Sequence, residues 1–214
     1  MRAGRCEWDN RAVEEIRFDE HGLVACVMQD AGTGEVLTLA YMNAEALQRT
    51  RATGEMHFWS RSRGEPWRKG ETSGNVMRVR ALRYDCDADT LVALVDAAGP
   101  ACHTGQRSCF YRGDLDLQVA EALPALERTI AQRQAAAATG EAGSSYTAQL
   151  LADPPLIAAK VREEADEVSR AAAQESDQRV AEEAADVLYH LTVLLAARGL
   201  LLGDALAVLN ARRR

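Results

Sequence analysis

Residues 156–195 read LIAAKVREEADEVSRAAAQESDQRVAEEAADVLYHLTVLL, and this stretch decides how the second half of the chain folds. Its pattern predicts one helix from about Pro155 to Ala173 and another from about Gln178 to Arg198, with Gly199 placed to cap the second. On the first helix Lys160, Glu163, Glu164 and Glu167 fall at i, i+3, i+4 and i+7, which is one face. On the second, Glu183, Asp186 and His190 share a face beside the apolar Val187, Leu188, Leu191, Leu194 and Leu195. Like charges at these spacings destabilise a helix. Placing them next to an apolar stripe makes sense if a divalent cation compensates them, and hard carboxylate oxygens suit magnesium. An EExxE run alone also suits a solvated acidic face; the paired ExxD strengthens the metal reading.

Working outward, the helical character extends in both directions. Pro124 suits a helix start, and Leu123, Leu126 and Ile130 give that helix an apolar stripe. The stretch Ala135–Ser145 ends in a Gly/Ser linker, and a short last helix is expected over Asp204–Asn210. Near residue 115 the composition changes sharply. All five Cys and all three Trp lie before it; after it come Ala, Leu, Glu and Arg, with Tyr146 and Tyr189 as the aromatics. The expected organisation is therefore an α+β domain rich in β-strands over 1–116, followed by an all-α domain over 117–214. With 47% hydrophobic residues in 214, both can bury a core.

In the first part, Leu23–Gln29 and Val36–Tyr41 flank the turn-rich Asp30–Glu35 and read as a hairpin. Asn43 can cap a short helix from Ala44 to about Thr53, ended by Gly54. His57–Ser60, Val76–Tyr84 and Thr90–Asp96 follow as strands, with loops between them.

The net charge of −7 argues against general nucleic-acid binding. Between Phe58 and Tyr84, however, seven Lys/Arg face only Glu65 and Glu71, a patch suited to a small anionic ligand. The start, MRAGRCEWDN, has no apolar core of a signal segment, and the apolar runs near the end are far shorter than a membrane span, so a cytosolic chain without a membrane partner is expected. Five cysteines, an odd count, argue against a disulfide framework.

Four constellations in the first part bear chemistry. Asp85-Cys86-Asp87-Ala88-Asp89 precedes an apolar run and is expected at a strand end, where Asp85, Asp87 and Asp89 would share one face and Cys86 the other. Three adjacent carboxylates suit magnesium, or an acidic turn in solvent. An EF-hand is excluded because its sixth position, Thr90 here, must be Gly. Cys86, Cys102 and Cys109 are three thiols, too few to close a structural zinc site but the number that leaves a position for water in a catalytic one. Cys6 and Cys26 read as non-ligands. His103, directly after Cys102, is placed to act as a general acid/base, although a lone His is as readily structural. Finally, Arg61, Arg63, Trp67, Lys69, Thr72 and Ser73 combine cations, hydroxyls and Gly-exposed N–H groups, which hold phosphates, with an indole that can stack on a base. A solvated basic loop is the plainer reading of the same residues.

The ordered runs AYMNAEAL, FWSRSR, KGETSGN, DCDAD, ACHTG and SCF resemble phosphoribosyl-AMP cyclohydrolase through most of residues 15–112. That resemblance implies a homodimer with zinc on Cys86, Cys102 and Cys109, each zinc site drawing cysteines from both subunits, and magnesium on Asp85, Asp87 and Asp89. The runs SYTAQLL, KVREEADEV and EEAADVLYHLTVLLAARGL resemble phosphoribosyl-ATP pyrophosphohydrolase, one of the helical pyrophosphohydrolases similar to MazG, over about 120–202. This implies magnesium on Glu164, Glu167, Glu183 and Asp186, with Glu163 nearby as a catalytic carboxylate. Arg162 departs from the small residue expected before the paired glutamates.

The two resemblances fit one route. Phosphoribosyl-ATP would be cleaved between its α and β phosphates, and the phosphoribosyl-AMP released would be opened at the C6–N1 bond of the adenine, with His103 moving the proton. Two alternatives stand beside this: a pyrophosphohydrolase clearing non-canonical nucleotides, and a non-catalytic zinc module on a helical dimerisation domain.

Overall fold

The structure, a computed structural model, describes residues 15–114, 116, 118–139 and 145–213. The chain divides into two compact units, Met1–Asp116 and Leu117–Arg214.

Among the described residues the first unit is a six-stranded sheet with one helix. The strands are β1 (Val24–Asp30), β2 (Val36–Met42), β3 (His57–Ser60), β4 (Glu65–Arg68), β5 (Met77–Tyr84) and β6 (Thr90–Ala97); helix α1 (Ala44–Thr53) lies between β2 and β3 in sequence. Their spatial order is β4-β3-β2-β1-β6-β5. The one parallel pair is β1 with β6; every other pairing is antiparallel. Alternation in the two central strands buries Val24, Cys26 and Met28 of β1 and Leu91, Ala93 and Val95 of β6. Leu37, Met42, Phe58, Met77 and the α1 residues Ala46 and Leu47 complete this core.

The β1–β2 hairpin forms as expected. The Asp30 carboxylate accepts from the Gly32 and Thr33 amides and from the Thr33 hydroxyl, and Gly34 takes φ 77°. Helix α1 is also bounded as expected, by Asn43 accepting from the Ala46 amide at 2.8 Å and by Gly54 at φ 71°.

Two expectations fail in this unit. Residues 65–68, read as loop, are a strand pairing with β3 (Phe58 opposite Trp67, Trp59 opposite Pro66). The strand is short, sits at the sheet edge and carries Pro66, which an edge tolerates because a missing N–H costs nothing there. Residues 85–89 are not the end of a strand but the turn joining β5 to β6, with Ala88 at φ 62°. The Asp85 carboxylate accepts from the Asp89 and Thr90 amides at 3.1 and 3.2 Å and holds that turn. Alternating strand faces therefore do not govern where Cys86 points.

The second unit is helical. A 3₁₀ turn (Val119–Glu121) leads into α2 (Ala122–Ala138); α3 (Tyr146–Ala152), α4 (Pro154–Gln174), α5 (Asp177–Ala197) and α6 (Leu202–Ala211) follow. Helix α2 runs on through Ala138, and residues 140–144, in the expected Gly/Ser linker, lie outside the described set. Helix α3, absent from the sequence reading, is capped by the Ser145 hydroxyl accepting from the Ala148 amide. Asp153 and Ser176 cap α4 and α5 in the same way. Gly199 at φ 69° ends α5, with the Leu200 amide donating to the Leu195 carbonyl. Ile130, Leu150, Ile157 and Val193 form the core.

The buried face of α5 is not the leucine stripe. It carries Glu183, His190, Thr192 and Val193, whereas Leu188 is 40% exposed. The face that looked polar turns inward toward α4, and the leucines are left half-open. Among the described residues no single helix is long and apolar enough to cross a membrane.

Candidate functional site

In the first unit a cleft of about 720 Å³ is lined by Arg63, Trp67, Lys69, Thr72 and Ser73 together with Cys102, His103 and Cys109. Arg63 comes from the turn before β4, and Trp67, Lys69, Thr72 and Ser73 come from β4 and the turn after it. Gly70 makes that turn possible: it takes φ +81°, and a Cβ there would overlap the Val76 backbone nitrogen. Trp67 is fixed against Phe58, with ring centroids 4.9 Å apart.

The cysteines come from the loop after β6, which is tied back onto β2. Cys109 donates its amide to the Leu37 carbonyl at 2.8 Å, and the Ser108 hydroxyl donates to the Val36 carbonyl at 2.8 Å. The Ala101 and Cys102 amides close the loop on the Arg107 and Gln106 carbonyls. Arg107 pins it further, its guanidinium reaching Glu35 at 2.5 Å and Asp30 at 3.1 Å. These contacts bring Cys102 and Cys109 into side-chain contact. The Thr104 hydroxyl donates to the Cys102 sulfur at 3.1 Å and draws that thiol below its ordinary value. Burial, with the neighbouring Cys102 charge, pushes Cys109 up. Lys69 is buried beside both; burial lowers its hold on the proton, and the charges of Cys109 and Cys102 work against that.

Not every residue expected at this site is in the cleft. The Arg61 guanidinium lies 3.8 Å over the Tyr41 ring, outside the lining. Cys86 is exposed on the β5–β6 turn, and it too is outside the lining. Its sulfur lies 4.0 Å from an Asp87 oxygen. The carboxylates of Asp85, Asp87 and Asp89 do converge, within 4.8 Å of one another, in the open. Cys26 is buried in the β1 core with its thiol pushed up to about 12, a core residue and no ligand. Cys6 lies outside the described residues. Sequence reasoning overlooked Thr104 and Arg107, whose partners only the fold reveals.

In the second unit, Glu164 and Glu167 of α4 and Glu183 of α5 bring carboxylate oxygens within 4.8 Å of one another. Glu164 and Glu183 are buried and Glu167 half-buried. Burial raises the Glu183 carboxyl above its usual range, the Arg179 guanidinium opposes this, and the charges of Glu167, Asp186 and Glu164 add to it. Asp186 is exposed at the margin of this group. Glu163 is not among these three; it is exposed and pairs with Lys160, 3.0 Å away, and Lys160 also reaches Glu164 at 3.7 Å. Arg179 bridges Glu175, Glu182 and Glu183. Below the carboxylates His190 is buried. Its Nδ1 lies 2.9 Å from the Asp186 carbonyl and 3.6 Å from Glu164, and its Nε2 lies 3.2 Å from the Tyr146 hydroxyl. Since a carbonyl only accepts, Nδ1 donates to it, and the Tyr146 O–H can donate to Nε2. Helix α3 is thereby tied to the floor of the acidic group. Arg162, the departure noted above, is exposed on α4.

Chemically, the first site offers soft donors, a histidine and cations around a purine-sized cleft, and the second offers a buried cage of hard oxygens. Comparison with known proteins gives the same pair. Residues 38–111 match the family model for phosphoribosyl-AMP cyclohydrolase, and residues 123–213 match that for phosphoribosyl-ATP pyrophosphohydrolase. A "Histidine biosynthesis bifunctional protein HisIE" of Bacillus subtilis (strain 168) is 47% identical over 206 residues, covering 94% of this chain and 97% of that protein. A protein of the same name from Gloeobacter violaceus is 48% identical over 94% of this chain and 92% of its own length, and one from Xanthomonas campestris pv. campestris is 46% identical over 90% of each. Neither alternative raised from the sequence is favoured by these relatives. The chain belongs to the family of bifunctional histidine-biosynthesis hydrolases, in which a phosphoribosyl-AMP cyclohydrolase and a phosphoribosyl-ATP pyrophosphohydrolase share one polypeptide.

Proposed function

We propose that the unit over 1–116 carries the ring-opening reaction and the unit over 117–214 the pyrophosphate-releasing one, each at the constellation described above. The observation that carries this division is the separation of donor types: a thiol pair with His103 in a basic cleft, and a carboxylate cage on α4 and α5.

In the cleft, Trp67 stacks on the purine and Arg63, Thr72 and Ser73 hold the phosphates; Lys69, read from the sequence with Arg61 as a further cation, adds positive charge to the same cleft, while Arg61 lies outside its lining. His103 carries the proton between water and the ring nitrogen. The thiol pair fits zinc, since two soft sulfur donors stand together in the cleft wall. Zinc there supplies Lewis acidity that makes water nucleophilic near neutral pH. Two thiols are too few for such a site, and Cys86 stands on a separate turn of the same chain. This supports a homodimer in which Cys86 of the partner subunit completes the set. The exposed Asp85, Asp87 and Asp89 offer the hard oxygens that magnesium takes.

In the helical unit, Glu164, Glu167 and Glu183, with Asp186 at the margin, hold magnesium; the proton affinity that burial and mutual repulsion give Glu183 is what a dication relieves. A magnesium ion held there would supply positive charge to the polyphosphate, and Glu163, exposed and paired with Lys160 beside the group, is the candidate to activate the attacking water. No nucleic acid or membrane enters this reading, and the substrates are soluble metabolites of the cytoplasm. The test is to supply phosphoribosyl-ATP with both metals and follow both products. Pyrophosphate should appear first and the ring-opened nucleotide after it; pyrophosphate release from ordinary triphosphates at an equal rate, with no ring opening, would replace this reading with the nucleotide-clearing one.

A further inference from the structure

Of the 25 cationic Lys/Arg side chains only two are lysine, Lys69 and Lys160, and each stands at one of the two sites. Elsewhere this chain meets every need for positive charge with arginine. Lys69 is only 9% exposed, lies in the cleft wall beside Cys102 and Cys109, and has no ion pair with a carboxylate among the described residues. A buried cation without a carboxylate is costly unless something anionic comes to it. The turn built on Gly70 holds it there, its own amide donating to the Met56 carbonyl at 2.9 Å. Arg63, Thr72 and Ser73, the other candidates for holding phosphate, are exposed, as a group that captures a mobile phosphate should be. Lys69 is set apart from them by its depth and by its position at the thiol pair.

We propose that Lys69 is a catalytic residue of ring opening, its ammonium compensating the charge on the oxygen that enters at C6, and is not one of the phosphate-holding groups. The inference rests on assigning ring opening to this cleft. In that reaction water supplies its oxygen to C6; the new C6–O bond forms first, making C6 tetrahedral, and C6–N1 then breaks. The electron pair of the broken bond stays on N1, which takes one proton of the water; the exocyclic nitrogen takes the other, leaving a carboxamide. While C6 is tetrahedral its oxygen carries negative charge. A compact ammonium, fixed at the end of the cleft where the thiols and His103 lie, is paired with that oxygen in the transition state more than with the bound nucleotide. A guanidinium is broader and cannot present its charge at one point in the same space.

The test uses the full chain and three variants, K69M, K69R and S73A, with kcat and KM for phosphoribosyl-AMP, metal content by mass spectrometry and affinity for AMP by calorimetry. K69M and K69R are both expected to lower kcat, K69M by about 10²-fold. KM, AMP affinity and bound metal should stay within about threefold of the parental values, while S73A moves KM and AMP affinity and spares kcat. Retained kcat in K69R, or a rise in KM with kcat intact in K69M, would make Lys69 a phosphate arm and overturn the proposal. Loss of bound metal in parallel with activity would overturn it too, by making Lys69 a support of the thiol site. Ring opening by the parental chain tests the assignment of the cleft separately, because that activity stands or falls without Lys69 being altered.

Discussion

In the helical unit three carboxylates converge from two helices joined by a short connection, so one chain assembles the cage by itself. In the sheet unit Cys102 and Cys109 converge from one loop, and Cys86 stands apart on the turn between β5 and β6. In the first arrangement helical periodicity puts the carboxylates on one face of each helix, and the packing of two helices adjacent in sequence brings those faces together. The second depends on tertiary ties, with Arg107 reaching residues 72 and 77 positions away and Cys109 reaching Leu37. A site built on periodic elements survives local change until a ligand is removed; a site built on a tied loop can be weakened from a distance.

The largest effect should come from removing a ligand of the cage. Glu164→Gln should lower pyrophosphate release by roughly 10²-fold or more while ring opening of supplied phosphoribosyl-AMP stays near parental. Loss of both activities in a folded variant would erase the distinction between the two units. Next in size is a test of whether the thiol site needs two chains. Cys86→Ser and Cys102→Ser should each be inactive in ring opening as homodimers. Co-expressed, about half the dimers are mixed and each carries one intact site of two, so roughly a quarter of parental activity should return. Activity at the single-variant background, with mixed dimers confirmed by mass, would place all three cysteines in one chain.

The contrast also explains what could be read without coordinates. The two long helices, the β1–β2 hairpin and the caps at Asn43, Gly54 and Gly199 are written in local patterns, and they appear as expected. Strand β4 was illegible because four residues with a proline carry no periodic signal. Helix α3 has seven residues and only Ser145 to announce it. The Asp85–Asp89 turn misled because alternation presumes a strand, whereas the Asp85 carboxylate satisfies two turn amides and makes the turn self-sufficient. Site residues fared by the same rule. Glu164, Glu167 and Glu183 follow from spacing. The support of Cys102 by Thr104, the stacking of Arg61 on Tyr41 and the inward turn of His190 depend on neighbours that no local window contains.

A smaller effect probes the tie itself. Arg107→Met removes the partner of Asp30 and Glu35. Because the guanidinium is partly exposed, the stability loss should be only about 1 kcal/mol, but bound zinc should be released about tenfold faster. Unchanged metal retention would show that the backbone hydrogen bonds alone hold the loop.

The smallest effect is electrostatic. The Glu183 carboxyl is raised in the folded chain, so the folded state binds its proton more tightly than the unfolded state does. Its contribution to stability is present below the ordinary carboxylate range and is lost as pH rises through the raised value. Metal-free protein should therefore lose stability in the helical unit across that window, and magnesium should raise Tm more at pH 8 than at pH 5. An equal magnesium effect at both would argue that the cage carries no such penalty.

The metals proposed for the two sites tell them apart most directly. With phosphoribosyl-ATP as substrate and magnesium in excess, a zinc-selective chelator should leave pyrophosphate release intact, stop formation of the ring-opened nucleotide and let phosphoribosyl-AMP accumulate. Equal loss of both products, or continued ring opening after zinc is shown to be gone, would contradict the assignment of soft donors to one unit and hard donors to the other.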